Sequence, residues 1–489
     1  MEEDHQLAGG QAVAVDLDLV AGDKPLDIAL VRERIEIRPV KWEVKDGIGI
    51  ININTFSGNT GAAVESALSK EEKLICCVSL KNPDVTGQDA QTSDLFEIGT
   101  LVNIKRMMRA DETMQLIVQG VDRVYDLNFN GRDGADKVTG RANYASDFTL
   151  PGMLWGRVLR SPHAHARIRA IDASAALALP GVAAVVTGVE MPIPFGIIVW
   201  TPDENALATD KARYIGDAVA AVAAVDEDTA NRAAELIRVE YEVLEAILDP
   251  FESARRTDVQ IHEAKKAGHN GNISKIVKLD FGEVEQGLRE SDVVIEGEYY
   301  FEGTTHTPIE PHCAIGMWEE GGAPGGRLTV WSSTQVPHYL HRELAKVLEL
   351  DAAKVRVVQP HVGGGFGGKS EPFDLEFCVA KLAMKTGRPV KILYTREEVF
   401  YAHRGRHPFH MQYRVGATAD GKLKAVDAKT LLDGGAYSSF GLVTTYYSGQ
   451  LLAAPYEIPA YRFNSTRVFT NKPACGPKRG HGSVQPRFA

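Results

Sequence analysis

Cysteine is scarce in this chain. Its 489 residues hold five, Cys76, Cys77, Cys313, Cys378 and Cys475. No two are spaced as CxxC and none joins histidines at zinc-ligand spacing, which argues against a structural zinc site and a dithiol redox motif. So few thiols in so long a chain also argue against a disulfide framework, and reduced thiols in the cytoplasm are the expectation. Positive charge is in deficit: 54 Lys and Arg against 65 Asp and Glu leave a net charge of -11. Phosphate backbones would be repelled, so non-specific nucleic-acid binding is not expected. No uninterrupted apolar run approaches the roughly 20 residues that span a bilayer. The start, Met1-Glu-Glu-Asp-His5, is acidic where a secretory signal is basic, so neither export nor membrane attachment is expected. A dinucleotide fingerprint is missing as well.

What is present divides into unlike parts, and the length predicts about three domains. Residues 1–130 read as a β-rich leader. Val40–Asn54 is a strand, an Asp-Gly turn and a second strand, which is a hairpin pattern. Ala62–Ser69 suits a short helix, and Leu74–Leu80, Gly99–Lys105 and Met114–Gln119 suit strands. From 132 to 250 the pattern is α/β. A buried strand is expected at Met153–Arg160, another at Val182–Thr187 and an apolar one at Ala218–Val225. A helix at Asp228–Leu236 would be capped by Asp226 or Asp228. Residues 251–280 read as a polar connector. A strand at Lys354–Gln359, a glycine loop and a helix at Pro372–Lys385 follow.

The glycine loop, His361-Val-Gly-Gly-Gly-Phe-Gly-Gly-Lys369, has five glycines in six positions, broken only by Phe366. Such a run is entropically costly to order, and it belongs where backbone must approach an anion or a bulky group closely. Two readings fit. Residues 363–370 satisfy GxxxxGK[ST], so Lys369 could reach phosphates and Ser370 a magnesium ion. The strand that would carry the magnesium acid is unconvincing, since Leu431-Leu-Asp433 runs at once into Gly434 and Gly435. The other reading rests on the neighbours of the loop, Ser332–Pro337 upstream and Ala474–Gly482 downstream. Gln335 offers an amide and Arg479 a planar fork of donors, the equipment for a large, flat, electron-rich ligand held without protein metal ligands. His163 and His165 look ligand-like but suit the flanks of a turn.

Together with Asp136–Tyr144, Arg160–Arg167 and Tyr214–Val222, these segments resemble the molybdenum-binding large subunit of the xanthine dehydrogenase family, in the family's order, over residues 132–489. The resemblance implies an α/β (α+β) chain, with a hammerhead domain at 132–250 and the first molybdopterin-binding domain at 265–489. It implies a molybdenum-molybdopterin cofactor, in its cytosine dinucleotide form, held by Gln335, Gly364, Gly365, Phe366, Gly367 and Arg479. His481 would lie on the substrate side, and no protein side chain would ligate the metal. The family's catalytic glutamate would fall beyond Ala489, so no catalytic residue is assigned, and the chain alone is expected to be inactive. Partners implied are a [2Fe–2S] subunit, an FAD subunit, a chain supplying the second molybdopterin domain, and a small aromatic substrate. Ser370 directly after Lys369, and His481, depart from the purine oxidases. Val390–His407 resembles the 4-hydroxybenzoyl-CoA reductase large subunit, so the expected substrate is an aromatic acyl-CoA or an N-heteroaromatic. Residues 71–124 resemble the Lon protease N-terminal domain, and 40–54 the opening hairpin of crotonases. A non-catalytic fragment or fusion with a partner-binding Lon-like front is the alternative.

Overall fold

The computed structural model describes residues 136–263, 270–320, 325–402 and 404–489, and the backbone of strands between residues 19 and 125. It divides into two units, Met1–Ala142 and Asn143–Ala489.

In the first unit, β1 (Glu43–Lys45) and β2 (Ile48–Ile53) pair antiparallel with Lys45 opposite Ile48, so the two-residue Asp-Gly turn closes the expected hairpin. With β3 (Leu74–Leu80), β4 (Leu95–Ala110) and β5 (Thr113–Tyr125) they form an antiparallel sheet in the order β1-β2-β5-β4-β3. β4 and β5 outrun the expected strands. Their pairing absorbs register shifts between Leu101 and Val102 and between Ile104 and Arg106, and such bulges let a ladder continue past residues that break the alternation. The helix expected at Ala62–Ser69 lies outside the described residues.

The second unit is mixed α/β. It begins with β6 (Leu154–Arg160), β7 (Ala166–Asp172), α1 (Ser174–Leu177), β8 (Val182–Thr187), β9 (Lys211–Ala212) and β10 (Ala218–Ala224). Next come α2 (Glu227–Leu236), β11 (Arg238–Val243), α3 (Pro250–Arg255) and β12 (Ile273–Phe281). α3 and β12 replace much of the polar connector expected at 251–280. Asp249 caps α3 by accepting from the Glu252 N–H at 2.8 Å, a local signal that the charge density of the segment concealed. Further on lie α4 (Val284–Arg289), β13 (Val293–Phe301), β14 (Cys313–Glu319), β15 (Arg327–Ser332), α5 (Pro337–Val347) and β16 (Val355–Val358). The chain ends with α6 (Asp374–Thr386), β17 (Val390–Leu393), α7 (Glu398–Tyr401), β18 (Phe409–Ala417), β19 (Leu423–Asp433), α8 (Gly441–Ala453) and β20 (Ala460–Val468).

A seven-stranded sheet runs β8-β10-β6-β17-β14-β15-β16. It is continuous across residue 250, because β17 pairs parallel with β6 through Val390–Leu154 and Lys391–Trp155. Every residue of β10 is buried and is Ala or Val, as suits a strand covered on both faces. α2 packs on β10 and β6, capped by Asp226, whose carboxylate accepts from the Thr229 N–H at 2.7 Å. α6 lies against β14 so closely that a Cβ on Gly316 would come within 2.5 Å of the Val379 carbonyl. Phe377 of α6 meets Phe195 at 4.7 Å between ring centroids. A second sheet, β12-β20-β19-β18-β13, has its own core around Phe409, Phe463 and Leu432.

The helix expected from Pro372 starts two residues later. Phe373 is extended, and its N–H is capped by Glu376 at 2.8 Å, which leaves Pro372 outside the first turn. Glu376 also accepts from the Ser332 hydroxyl at 2.8 Å. Burial pushes its carboxyl up to about 7, only partly offset by these two hydrogen bonds. A carboxyl raised above its ordinary 4.5 contributes stability that is fully present below that value and is lost as pH rises through about 7. Glu376→Gln is therefore predicted to gain on the native chain in urea-unfolding midpoints between about pH 5 and about pH 8. A constant difference would contradict the buried, protonated state.

Candidate active site

The glycine loop is delivered by β16 and rests on a buried ion pair. The Gly363 N–H and the Lys369 ammonium both donate to one oxygen of Glu310, each at 2.7 Å. Lys369 is 1% exposed and Glu310 7%. Burial lowers the Lys369 pKa, and the Glu310 hydrogen bond and charge counter that shift. With both ends tied to one carboxylate, the loop between them has its span fixed.

Gln335, between β15 and α5, organises the loop from the other side. Its own N–H donates to the Lys369 carbonyl at 2.7 Å. Its side-chain oxygen accepts from the N–H groups of Gly367 and Lys369, each at 3.1 Å. Two backbone donors assign that atom as oxygen, so the NH2 end of the exposed side chain remains a donor with no partner among the described residues. The N–H groups of Gly364, Gly365 and Phe366 likewise meet no acceptor there. A Cβ on Gly365 would lie 2.4 Å from the Gln335 oxygen, so this amide can sit against the loop only because residue 365 has no side chain. Phe366 adopts φ +53°, a left-handed conformation that costs a bulky residue energy, and its ring is 47% exposed.

The second wall is the segment from Ala474 to Gly482. The Arg479 N–H donates to the Phe366 carbonyl at 3.0 Å. A Cβ on Gly367 would meet the Pro477 carbonyl at 2.6 Å, so the two loops are in contact. Arg406 fixes the segment from behind, donating to the Arg479 carbonyl at 2.6 Å and the Gly480 carbonyl at 3.3 Å. The Arg479 side chain is exposed. His481 is held by α8: its Nε2 lies 2.5 Å from the Thr444 hydroxyl, and its ring meets Phe440 and Tyr447 edge-on at 5.7 and 5.9 Å. Burial, then the charge of Arg406, pushes the imidazole down to about 4, so it is neutral at pH 7.

Gln335, Gly364, Gly365, Phe366, Gly367 and Arg479 are thus brought together, with His481 two residues beyond Arg479. The phosphate-loop reading is overturned. The Lys369 ammonium points into protein at Glu310, and the Ser370 hydroxyl donates to the Gly367 carbonyl at 2.5 Å. The following helix starts at Asp374 instead of at Lys369, so its N–H groups do not extend the cradle. Asp433, weighed as a magnesium ligand, is committed to Thr470 at 2.5 Å and Lys472 at 2.7 Å. Sequence reasoning gave Arg406 and Thr444 no role and left Glu310, an acid near the motifs, unassigned, because all three act through partners 37 to 73 positions away and leave no local pattern. His165 is bonded to the Glu245 carbonyl and His163 packs on Tyr241, so neither enters this site. Among the described residues no group of three His, Cys, Asp or Glu could hold a metal ion directly. The unpartnered donors around Gly364–Phe366 and Gln335 do fit a flat, anionic, oxygen-bearing cofactor brought in as a unit.

Comparison with known proteins gives the same segments a context. Residues 264–489 match the molybdopterin cofactor-binding domain, and residues 139–245 match the aldehyde oxidase and xanthine dehydrogenase a/b hammerhead domain. The nicotinate dehydrogenase large molybdopterin subunit of Eubacterium barkeri is 38% identical over 355 residues, 72% of this chain and 80% of that protein. The xanthine dehydrogenase molybdenum-binding subunit of Escherichia coli is 36% identical over 372 residues, 73% of this chain but 48% of its own length. The aldehyde oxidoreductase from Desulfovibrio gigas superposes with a TM-score of 0.66 at 30% identity, covering 71% of this chain and 39% of that one. Quinoline 2-oxidoreductase from Pseudomonas putida 86 gives 0.66 at 29%, covering 73% and 46%. The chain therefore spans under half the length of three of these four proteins.

The ion pair beneath the loop gives a direct test. Lys369→Met strands a buried carboxylate and should cost about 3–5 kcal/mol in chemical unfolding. Adding Glu310→Gln should recover a large part of that loss. Equal stability of the single and double variants would show that the pair is not what the loop rests on.

Proposed function

This chain belongs to the xanthine dehydrogenase and aldehyde oxidase family of molybdopterin-binding subunits, and on that premise we propose that it serves as the cofactor-binding part of a molybdenum-dependent oxidoreductase. The observation that carries the proposal is the Gln335 amide, locked by the glycine loop with its NH2 end free. When bound, the molybdenum–pterin group, in the cytosine dinucleotide form, supplies two-electron redox chemistry. The chain's own share is to bind and orient. Gln335 and the N–H groups of Gly364, Gly365 and Phe366 donate to oxygens of the group, the Arg479 fork adds positive charge, and the exposed Phe366 ring shields the approach. Preorganised donors of this kind lose no energy to reorientation when charge develops.

The substrate we assign is an N-heteroaromatic or an aromatic acyl-CoA. A neutral His481, flanked by Phe440 and Tyr447, suits a flat apolar ring better than an anion. Nicotinate dehydrogenase and quinoline 2-oxidoreductase carry N-heteroaromatics in their names, which supports the first class. The resemblance of Val390–His407 to 4-hydroxybenzoyl-CoA reductase supports the second. Electrons must leave through other subunits, a [2Fe–2S] protein and an FAD protein, in the cytoplasm. The described cysteines Cys313, Cys378 and Cys475 are buried and separate, which suits none of them to a cluster. The catalytic base is expected from a second molybdopterin domain, as the family resemblance implies.

The test is to produce the chain alone and together with such a second domain, then to measure molybdenum, pterin and dye reduction with nicotinate, quinoline and an aromatic acyl-CoA. Cofactor uptake by the pair, with turnover only in the pair, is the expected result. Turnover by the lone chain would show that it already holds its base, and failure of both preparations to take up pterin would overturn the assignment.

A further inference from the structure

Behind the two loops lies a buried charged cluster that the site description leaves unused. Arg404 is 1% exposed. Its Nε lies 3.1 Å from Glu371, and its Nη2 is bonded to Glu204. Glu371, two residues after Lys369, is itself buried, and its other oxygen accepts from the Ser439 hydroxyl at 2.5 Å. Ser439 stands at φ +48°, a left-handed position taken by a residue that is not glycine, just before α8. The neighbouring Ser438 N–H donates to Asp203 at 2.9 Å. On the Arg479 side, the Gly476 N–H donates to the Gly405 carbonyl at 2.8 Å. A Cβ on Gly476 would lie 2.7 Å from the Arg404 Cβ and 2.9 Å from a Glu371 oxygen. The guanidinium also sits 5.2 Å from the centre of the Phe373 ring, at the start of α6.

Arg404, by its guanidinium and by the backbone beside it, therefore links the segments that wall the site. Through Glu371 it reaches the end of the glycine loop and, by Ser439, the turn into α8, which carries Thr444 to His481. Through Gly405 and Gly476 it reaches the Arg479 segment. Through Glu204 it reaches the hammerhead side, where Phe195 bridges Glu204. Lysine could not replace it on geometry, because a point charge on a flexible stem cannot span two carboxylates as a fixed planar guanidinium does. We propose that Arg404, acting with Glu371 and Ser439, is the positioning group that holds the glycine loop, the Arg479 segment and the α8 turn in register for the cofactor. The proposal rests on the molybdopterin-binding reading above. None of the three is among the residues that would hold the cofactor, so they are positioning residues and not catalytic ones.

The measurement is the rate at which pterin leaves the loaded chain, co-produced with the second domain, followed by pterin fluorescence after dilution. Thermal midpoints of the cofactor-free protein are recorded beside it. Glu371→Gln and Ser439→Ala preserve volume and spare the fold better than Arg404→Met, which is included as the strongest variant. Loss of a charge-assisted buried hydrogen bond should speed release about tenfold or more. The Glu371→Gln/Ser439→Ala double variant should release no faster than Glu371→Gln alone, because both break one link. Arg404→Lys should recover only part of the loss in Arg404→Met. A merely structural role would lower the midpoints and leave the release rate of folded protein unchanged, which would overturn the proposal; so would additive effects of the two mild variants. A native complex that takes up no pterin would instead sink the cofactor-binding reading, and this inference with it.

Discussion

The Lys369 ammonium and the Gly363 N–H share one oxygen of Glu310 at 2.7 Å, and the shape of the site depends on that shared atom. Five glycines so close together have no intrinsic shape, and the entropy of ordering them must be met by contacts at the ends. The pair provides one end and the middle is set by Gln335, whose oxygen collects two further N–H groups. Among the described residues, what remains unbonded is a patch of donors. A buried charge is retained here at a desolvation cost, which is reasonable only because removing either partner would cost more.

The remaining architecture brings distant segments to this loop. The seven-stranded sheet carries β6 and β10 from one side of residue 250 and β14 to β17 from the other, so Phe195 and Phe377 can pack in one core. α8 packs on β20 and β12 of the second sheet and carries Thr444 to the Arg479 segment. The buried guanidiniums share the tertiary work: Arg406 holds two carbonyls of the Arg479 segment, and Arg467 donates to the carbonyls of Gly434 and Tyr437 in the turn before α8. Arginine suits these places because its planar fork satisfies several acceptors while its charge remains fixed.

Much of the fold was legible beforehand because its signals are local. The Asp-Gly hairpin, the Asp226 cap and the apolar run of β10 each follow from a few adjacent residues. The errors were also local in origin. α3 and the start of β12 were hidden by charge density, and Pro372 looked like a first-turn proline although the cap at Phe373 excludes it. The short motif GxxxxGK[ST] was the most misleading feature, since it fits letter for letter while both its functional side chains face inward.

The order of motifs in the sequence, read through its family resemblance, led to the expectation that a glycine-dense loop, a glutamine before it and an arginine after it share one site. These are matters of residue type and order. Only the tertiary structure decided which way Lys369 points, which end of the Gln335 amide is free, and that Glu310, Arg404 and Arg406 stand behind the walls. Those outcomes hinge on hydrogen bonds and ion pairs between residues dozens to hundreds of positions apart, such as Arg404 with Glu204. A chain encodes such pairs only through the fold that brings them together.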